Sequence, residues 1–172
     1  MSPAITLLLA LGLGLVAWLA ARSKAWAFKR AAPPGTRAPL HSLPNYHGWY
    51  VALWTVVPAI AFAAVWSAIS PGLIIGQALS NPAAASLPAF GVERDSIVAE
   101  AYAVASGSSA AAFNPAASAL VEPFSSAIRQ FGTIGLAVTL VLGFAGGAYA
   151  FLKLRADFTA RTRVERAVMT GL

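Results

Sequence analysis

The sequence has no cysteine among its 172 residues and few charged side chains. The absence of cysteine excludes a disulfide framework, thiol chemistry and cysteine-ligated metal sites. Lys, Arg, Asp and Glu make up 10% of the residues and hydrophobic residues 58%, whereas soluble domains carry about 25% charged residues. A soluble domain of this length would have too few charges to cover its surface. The composition therefore indicates an integral membrane protein.

The net charge of +6 is concentrated in two places. Ten of the twelve Lys and Arg residues fall in the blocks 22–37 and 153–166, and each block follows the end of an apolar run. This placement is typical of the cytoplasmic flanks of membrane helices. Nucleic-acid binding would instead need the charges spread over a folded basic face, so we expect no nucleic-acid partner.

The first apolar run, 1–21, has no charge beyond its amino terminus. At about 1.5 Å per residue, its core nearly crosses a hydrocarbon layer of roughly 30 Å. The alternative is a cleaved signal peptide, which carries positive charge before its apolar stretch. Here the basic residues begin at Arg22, after the run. We therefore expect a retained transmembrane helix with its N-terminus outside.

The second predicted transmembrane helix is 49–69, within a stretch free of charged residues. Pro58 lies mid-span and removes one backbone hydrogen bond, so it predicts a kink unless neighbouring helices compensate. The sequence Ser70-Pro71-Gly72 predicts the exit from the membrane. Residues 73–79 are apolar but too short to span again, so we expect them at the interface or against another helix.

The third predicted transmembrane helix is 131–152. Gly135, Thr139, Gly143 and Gly147 recur every four residues and share one face of this helix. Small side chains at this spacing let another helix approach closely. Glycine is also common in membrane helices in general, which is the alternative interpretation. The prediction is that this small-residue face is a helix-packing surface.

Charge asymmetry predicts the orientation of these helices. The loop 22–48 has five basic residues and no acidic one, and the tail 153–172 has five basic and two acidic residues. The loop 70–130 has two basic and four acidic residues. Since positive loops stay in the cytoplasm, 22–48 and 153–172 are predicted to be cytoplasmic and 70–130 to be periplasmic.

The outer loop 70–130 is rich in alanine and predicts short helices. Asp95 or Ser96 is a candidate N-cap for a helix that Gly107 would stop. A second helix is predicted to begin at Asn114-Pro115, because asparagine caps helices and proline favours their first position. We expect it to run toward the third transmembrane helix with a break near Pro123.

The remaining two segments lie on the predicted cytoplasmic side. Four prolines in the loop 22–48 prevent a continuous helix there, so an ordered, extended segment is expected. The tail 153–172 has ion-pair spacing between Arg161 and Glu165 and predicts an amphipathic helix, with a solvated basic tail as the alternative. The expected fold is all-α, with three transmembrane helices, a helical outer loop and a tail helix.

The sequence lacks recognisable catalytic or nucleotide-binding motifs. It has neither GxxxxGK[ST] nor HExxH. His41 and His47 are interpreted as ordinary polar or interfacial histidines, and Glu93 and Asp95 as a solvated helix start. The predicted transmembrane helices contain no charged residue, which disfavours an ion-coupled pump. We expect no active site, cofactor or metal, and a membrane enzyme using these residues is a weaker alternative.

Two segments resemble a known family. The segment LHSLPNYHGWYVALW, residues 40–54, resembles the N-terminal extension of many bacterial phosphate ABC-transporter permeases of the PstC type. The segment FTARTRVERAV, residues 158–168, resembles the cytoplasmic stretch that leads into the permease core of that family. The resemblance extends over most of the chain through the order of its segments.

The resemblance implies a role in phosphate uptake across the inner membrane. It also implies four kinds of partner: the remainder of the permease, a second permease subunit, ATPase subunits and a periplasmic phosphate-binding protein. In that family the core helices and the ATPase-docking loop would follow about where this chain ends. None of the family's functional motifs has a matching position here. We therefore expect an assembly or regulatory role, with the small-residue face packed against the permease core. The alternative is a stand-alone inner-membrane scaffold or regulator.

Overall fold

The computed structural model describes residues 3–30, 44–154, 164, 165 and 169. These residues form four α-helices and one short 3₁₀ helix, and the described ranges contain no strand. The predicted all-α fold is confirmed. In chain order the elements are α1 (Pro3–Arg30), α2 (Pro44–Leu79), the 3₁₀ helix (Pro82–Ser86), α3 (Gly91–Ala105) and α4 (Pro115–Leu152).

Three helices are long and apolar enough to cross a membrane, as the sequence predicted. The segments are Ala4–Phe28, Asn45–Leu79 and Pro115–Leu152, with mean hydropathies of 2.3, 1.9 and 1.9. Many of their aliphatic side chains are exposed, which suits contact with lipid acyl chains. The most exposed in α1 are Leu8 and Val16, at 68% and 62%.

The helices extend beyond the predicted transmembrane segments. The prediction ended the first helix at residue 21, but α1 continues to Arg30. An apolar run ends at its first charge, whereas a helix backbone continues through Lys and Arg, because their long stems lie along apolar surface. Helix α2 also begins earlier than predicted, at Pro44 rather than at residue 49, so the last residues of the predicted Pro-rich loop are helical.

The helix does not end at Ser70-Pro71-Gly72, the predicted exit from the membrane, because α2 continues through it to Leu79. A proline removes one helical hydrogen bond, and here tertiary packing compensates. Ile74 and Ala78, which follow the proline, are 7% and 1% exposed in a core cluster. The expectation that 73–79 packs against another helix is therefore confirmed.

The beginning of α4 matches the prediction, but its break does not. Asn114 Oδ1 accepts a hydrogen bond from Ala116 N at 2.9 Å, and Pro115 is the first helical residue. No break occurs near Pro123, because the helix is continuous to Leu152. The fully buried side chains of Leu120 and Phe124 flank this proline and hold the helix on either side.

The predicted start of α3 is wrong and its end is confirmed. The helix begins at Gly91, and Ser96 Oγ donates to Glu93 O at 2.7 Å inside the helix instead of capping it. At the other end the backbone of Gly107 has φ of +79°. Glycine adopts this left-handed conformation without a steric penalty, and it is a common helix stop.

The chain divides into two compact units. The first unit, residues 64–136, contains the second part of α2, the 3₁₀ helix, α3 and the first part of α4. Its core includes the ring pair Tyr102 and Phe124, edge to face at 5.9 Å between centroids. The buried members of this core are Ile74, Ala78, Ile97, Ala101, Ala117, Leu120, Phe124 and Ala127.

The second unit contains α1, the first part of α2 and the last part of α4. Its cluster of buried residues consists of Ala21, Tyr50, Val51, Ala150 and Leu154, with Val164 packed against it. Most of the predicted tail helix, His41 and the prolines of 31–43 lie outside the described residues.

Candidate functional site

Two of the predicted small residues bring α4 against its neighbours in the second unit. A Cβ added to Gly143 would lie 3.2 Å from both Thr55 O of α2 and Leu13 Cδ2 of α1. A Cβ added to Gly147 would overlap the hydroxyl oxygen of Thr55. Thr55 is 1% exposed and donates a hydrogen bond to Val51 O at 2.9 Å. Both glycines therefore lie in a tight interface that leaves no room for a larger side chain.

Gly146 belongs to the same interface but was not among the predicted packing residues. A Cβ on this residue would overlap the main-chain carbonyl oxygen of Trp54. Pro58 has no N–H, so this carbonyl lacks its usual partner four residues ahead in the helix. The Cα hydrogens of glycine can serve as weak donors to such an oxygen. The sequence feature that could have predicted this contact is Pro58 within an apolar helix.

The other two predicted positions are also buried. Gly135 belongs to the first unit, where a Cβ would overlap the indole of Trp66 in α2. Trp66 in turn lies near Phe131, with 6.3 Å between ring centroids. Thr139 is 1% exposed. The expectation that this face packs against a permease core is therefore corrected: at Gly135, Gly143 and Gly147 it is occupied by helices of the same chain.

Helices α1 and α2 of the second unit meet at two further glycines. A Cβ on Gly14 would overlap the side chain of Val56, and one on Gly48 would lie 2.7 Å from Trp18 Cδ1 and Nε1. From Gly14 to Trp18 along α1, the contacting residue of α2 changes from Val56 back to Gly48, so the two helices are antiparallel. By this register Arg22, one turn after Trp18, lies level with the first turn of α2.

Basic side chains gather where α1 and α4 end. Lys24 Nζ donates to Phe151 O at 3.0 Å and lies 4.3 Å from the centroid of the Phe151 ring. This carbonyl is in the last turn of α4, where a cation also complements the helix dipole. Lys153 Nζ lies 5.2 Å from the centroid of the Tyr149 ring. The contacts of Lys24 hold the end of α4 to α1.

Two buried donors of α1, within two turns before Lys24, have no hydrogen-bond partner among the described residues. They are Trp18 Nε1 and Arg22 Nε. The guanidinium carbon of Arg22 lies 5.1 Å from the centroid of the Trp18 ring, a cation–π contact. A buried unpaired donor costs about 1–3 kcal/mol, so this pair is an unusual feature of the unit.

The candidate histidines and acids are spread over the chain. His47 is fully buried in the first turn of α2, and not in a loop as predicted. Glu93 and Asp95 are exposed near the start of α3, in keeping with a solvated helix start. Within the described ranges, no three His, Asp or Glu side chains lie close enough together to hold a metal ion.

The first unit has a cleft and a capping contact. The cleft, of about 440 Å³, is lined by side chains of α2 and α3 that include Arg94 and Tyr102. The carboxylate of Glu100 accepts hydrogen bonds from the backbone N–H groups of Phe113 and Asn114. These hydrogen bonds attach the start of α4 to α3.

The fold and these interfaces define an α-helical membrane protein with three helices that are long and apolar enough to span a bilayer and that pack through small residues. Residues 5–172 match the model of a family described as "Phosphate ATP-binding cassette transporter". The chain therefore belongs to this phosphate ABC-transporter family, and its function is related to that transport system. No curated protein and no solved structure matches the chain.

Proposed function

We propose that this chain is the N-terminal membrane region of a phosphate-uptake permease of the PstC type, in the bacterial inner membrane. Its role is to assemble or regulate the transporter, and it has no active site of its own. The observation that carries the proposal is the family match over residues 5–172. The resemblance of residues 40–54 to the extension of such permeases supports the same assignment.

The packing of the second unit supports an assembly role. The backbone of α4 contacts α2 at Gly146, and Lys24 attaches the last turn of α4 to α1. Three helices held together by these contacts can insert into the membrane and remain folded as one module. Outside this interface, exposed apolar side chains such as Leu15 and Phe144, at 59% and 68%, suit lipid and partner helices.

The predicted orientation assigns the partners to two sides of the membrane. The loop 22–48 and the tail 153–172 are on the cytoplasmic side, where the ATPase subunits bind. The loop 70–130 is on the periplasmic side and within reach of the phosphate-binding protein. The remainder of the permease and the second permease subunit are neighbours within the bilayer.

Affinity purification from the native membrane tests the assignment. The tagged full chain is expected to retain the second permease subunit and the ATPase subunits, and phosphate uptake should fall when the chain is depleted. Gly146→Val, which disrupts the α2–α4 contact, should reduce both recovery and uptake, whereas Gly76→Ala should not. Recovery with unrelated proteins only, and unchanged uptake, would contradict the proposal and favour a stand-alone scaffold.

A further inference from the structure

We propose that Trp18 and Arg22 form a binding site for a phosphate-group oxygen, supplied by an anionic lipid headgroup or by inorganic phosphate. This site is separate from the permease assignment, because it depends only on side chains of α1 and their packing against α2. The two residues are four apart in one helix and therefore share a face.

Both side chains lack the same kind of partner. Trp18 Nε1 and Arg22 Nε are both buried without a hydrogen-bond partner among the described residues. An indole N–H and a guanidinium N–H only donate, and neither accepts. A ligand that forms hydrogen bonds with both N–H groups must therefore supply acceptor oxygens.

The charge of Arg22 also favours a phosphate group. Arginine is permanently cationic, and its Nε–H and one terminal N–H point in parallel, which matches two oxygens of a phosphate group. The first turn of α2, level with Arg22, has no acidic residue, and the loop 22–48 has none. A permanently cationic guanidinium with an unpartnered N–H favours an anionic oxygen over a neutral acceptor.

The two donors are held in place and lie at a suitable depth. Gly48 allows the backbone of α2 to lie directly against the Trp18 indole. Arg22 stacks on the same indole and is only partly buried, so its outer nitrogens are reachable. Trp18 and Arg22 lie at the end of the apolar run, where a membrane helix reaches lipid phosphates.

The test uses the purified full chain in a maltoside detergent, which contains no phosphate. The indole N–H signal of Trp18 is assigned in a ¹H–¹⁵N NMR spectrum by comparison with Trp18→Phe. Inorganic phosphate is titrated in one arm, and phosphatidylglycerol in mixed micelles in the other. A saturable downfield shift of this signal is expected in at least one arm, and the arm that responds identifies the source.

Two matched variants decide whether the site is specific. Arg22→Met keeps the stem and should weaken binding at least about ten-fold, as expected for loss of a bidentate charged pair. Arg30→Met removes an equal charge from an exposed position of the same helix and should have no effect. Arg22→Lys keeps the positive charge and an aliphatic stem but lacks the two parallel N–H groups of arginine. It should also weaken binding, at unchanged thermal unfolding. No shift in either arm, wild-type binding by Arg22→Lys, or equal weakening by Arg30→Met would overturn the proposal.

Discussion

Gly146 of α4 lies directly against the main-chain carbonyl oxygen of Trp54 in α2. The carbonyl is available because Pro58, four residues later, has no N–H to donate to it. A proline inside a membrane helix would otherwise leave an unsatisfied polar group in an apolar medium. Here the same proline creates an acceptor against which the backbone of a second helix packs.

We expect Gly146→Ala to destabilise the protein by about 1–3 kcal/mol, the range measured for overpacking a tight interface. The added Cβ would overlap a backbone atom, so α2 and α4 must separate rather than one side chain turn away. Thermal unfolding of the full chain in detergent measures the effect.

Gly76→Ala is the matched control for this substitution. Gly76 is also helical, but a Cβ there would have no other atom within 4 Å. Because alanine favours helix over glycine by about 1 kcal/mol, this variant should be neutral or slightly more stable. Equal unfolding temperatures for Gly146→Ala and Gly76→Ala would show that the approach to Trp54 is not close.

Gly147 and Thr55 are predicted to be energetically coupled. Gly147→Ala should destabilise the second unit, because its Cβ would overlap Thr55 Oγ1. Thr55→Ala should also destabilise it, since a buried side chain is truncated. The double variant removes the colliding oxygen, so its loss should be smaller than the sum by about 0.5–3 kcal/mol. Strict additivity in a double-mutant cycle would contradict the contact.

The existence of the three long helices was predictable from apolar runs, but their ends were not. An apolar run ends at the first charge or at a proline, whereas a helix ends where its packing ends. Ile74 and Ala78 are buried beyond Pro71, and Leu120 and Phe124 are buried around Pro123. Tertiary contacts of this kind override local propensity, and no sequence window contains them.

The small-residue face was visible as a spacing, but its partner was not. A repeat of glycine every four residues shows that a helix can approach without showing which one does. The interpretation therefore assigned Gly143 and Gly147 to an external core, while α2 of the same chain covers them. Trp18 and Arg22 gave no motif at all, because their unpaired donors depend on how α2 packs over α1.

Lys24→Met should loosen the end of α4. Methionine keeps the apolar stem but cannot donate to Phe151 O, so the last turn loses a charged hydrogen bond worth about 1 kcal/mol at this partly buried position. Hydrogen exchange at the amides of Lys153 and Leu154 should accelerate, since both bond to carbonyls of this turn. Lys153→Met, which removes an exposed ammonium from the same end, is the control and should change exchange less.

The absence of cysteine makes the predicted orientation directly measurable. Ser23→Cys and Ser86→Cys each replace an exposed serine whose hydroxyl bonds only within its own helical turn. If basic segments face the cytoplasm, the thiol of the Ser23→Cys variant should react with a membrane-impermeant maleimide only in inverted vesicles. The thiol of the Ser86→Cys variant should react in intact spheroplasts. Labelling of both variants from the same side would overturn the assignment of three crossings with an external N-terminus.

Glu100 is expected to control how firmly α4 begins. Its carboxylate accepts from the backbone N–H groups of Phe113 and Asn114, just before the first turn of α4. Glu100→Ala leaves these donors without their acceptor and should cost about 1 kcal/mol, in the range of a lost helix cap. Glu100→Gln keeps one side-chain oxygen as an acceptor and should lose less. Hydrogen exchange at the amides of Phe113, Asn114 and Ala116 should therefore rise in the order wild type, Glu100→Gln, Glu100→Ala. Equal protection in all three proteins would mean that the carboxylate does not hold the start of α4 in solution, and that the Asn114 cap alone is sufficient.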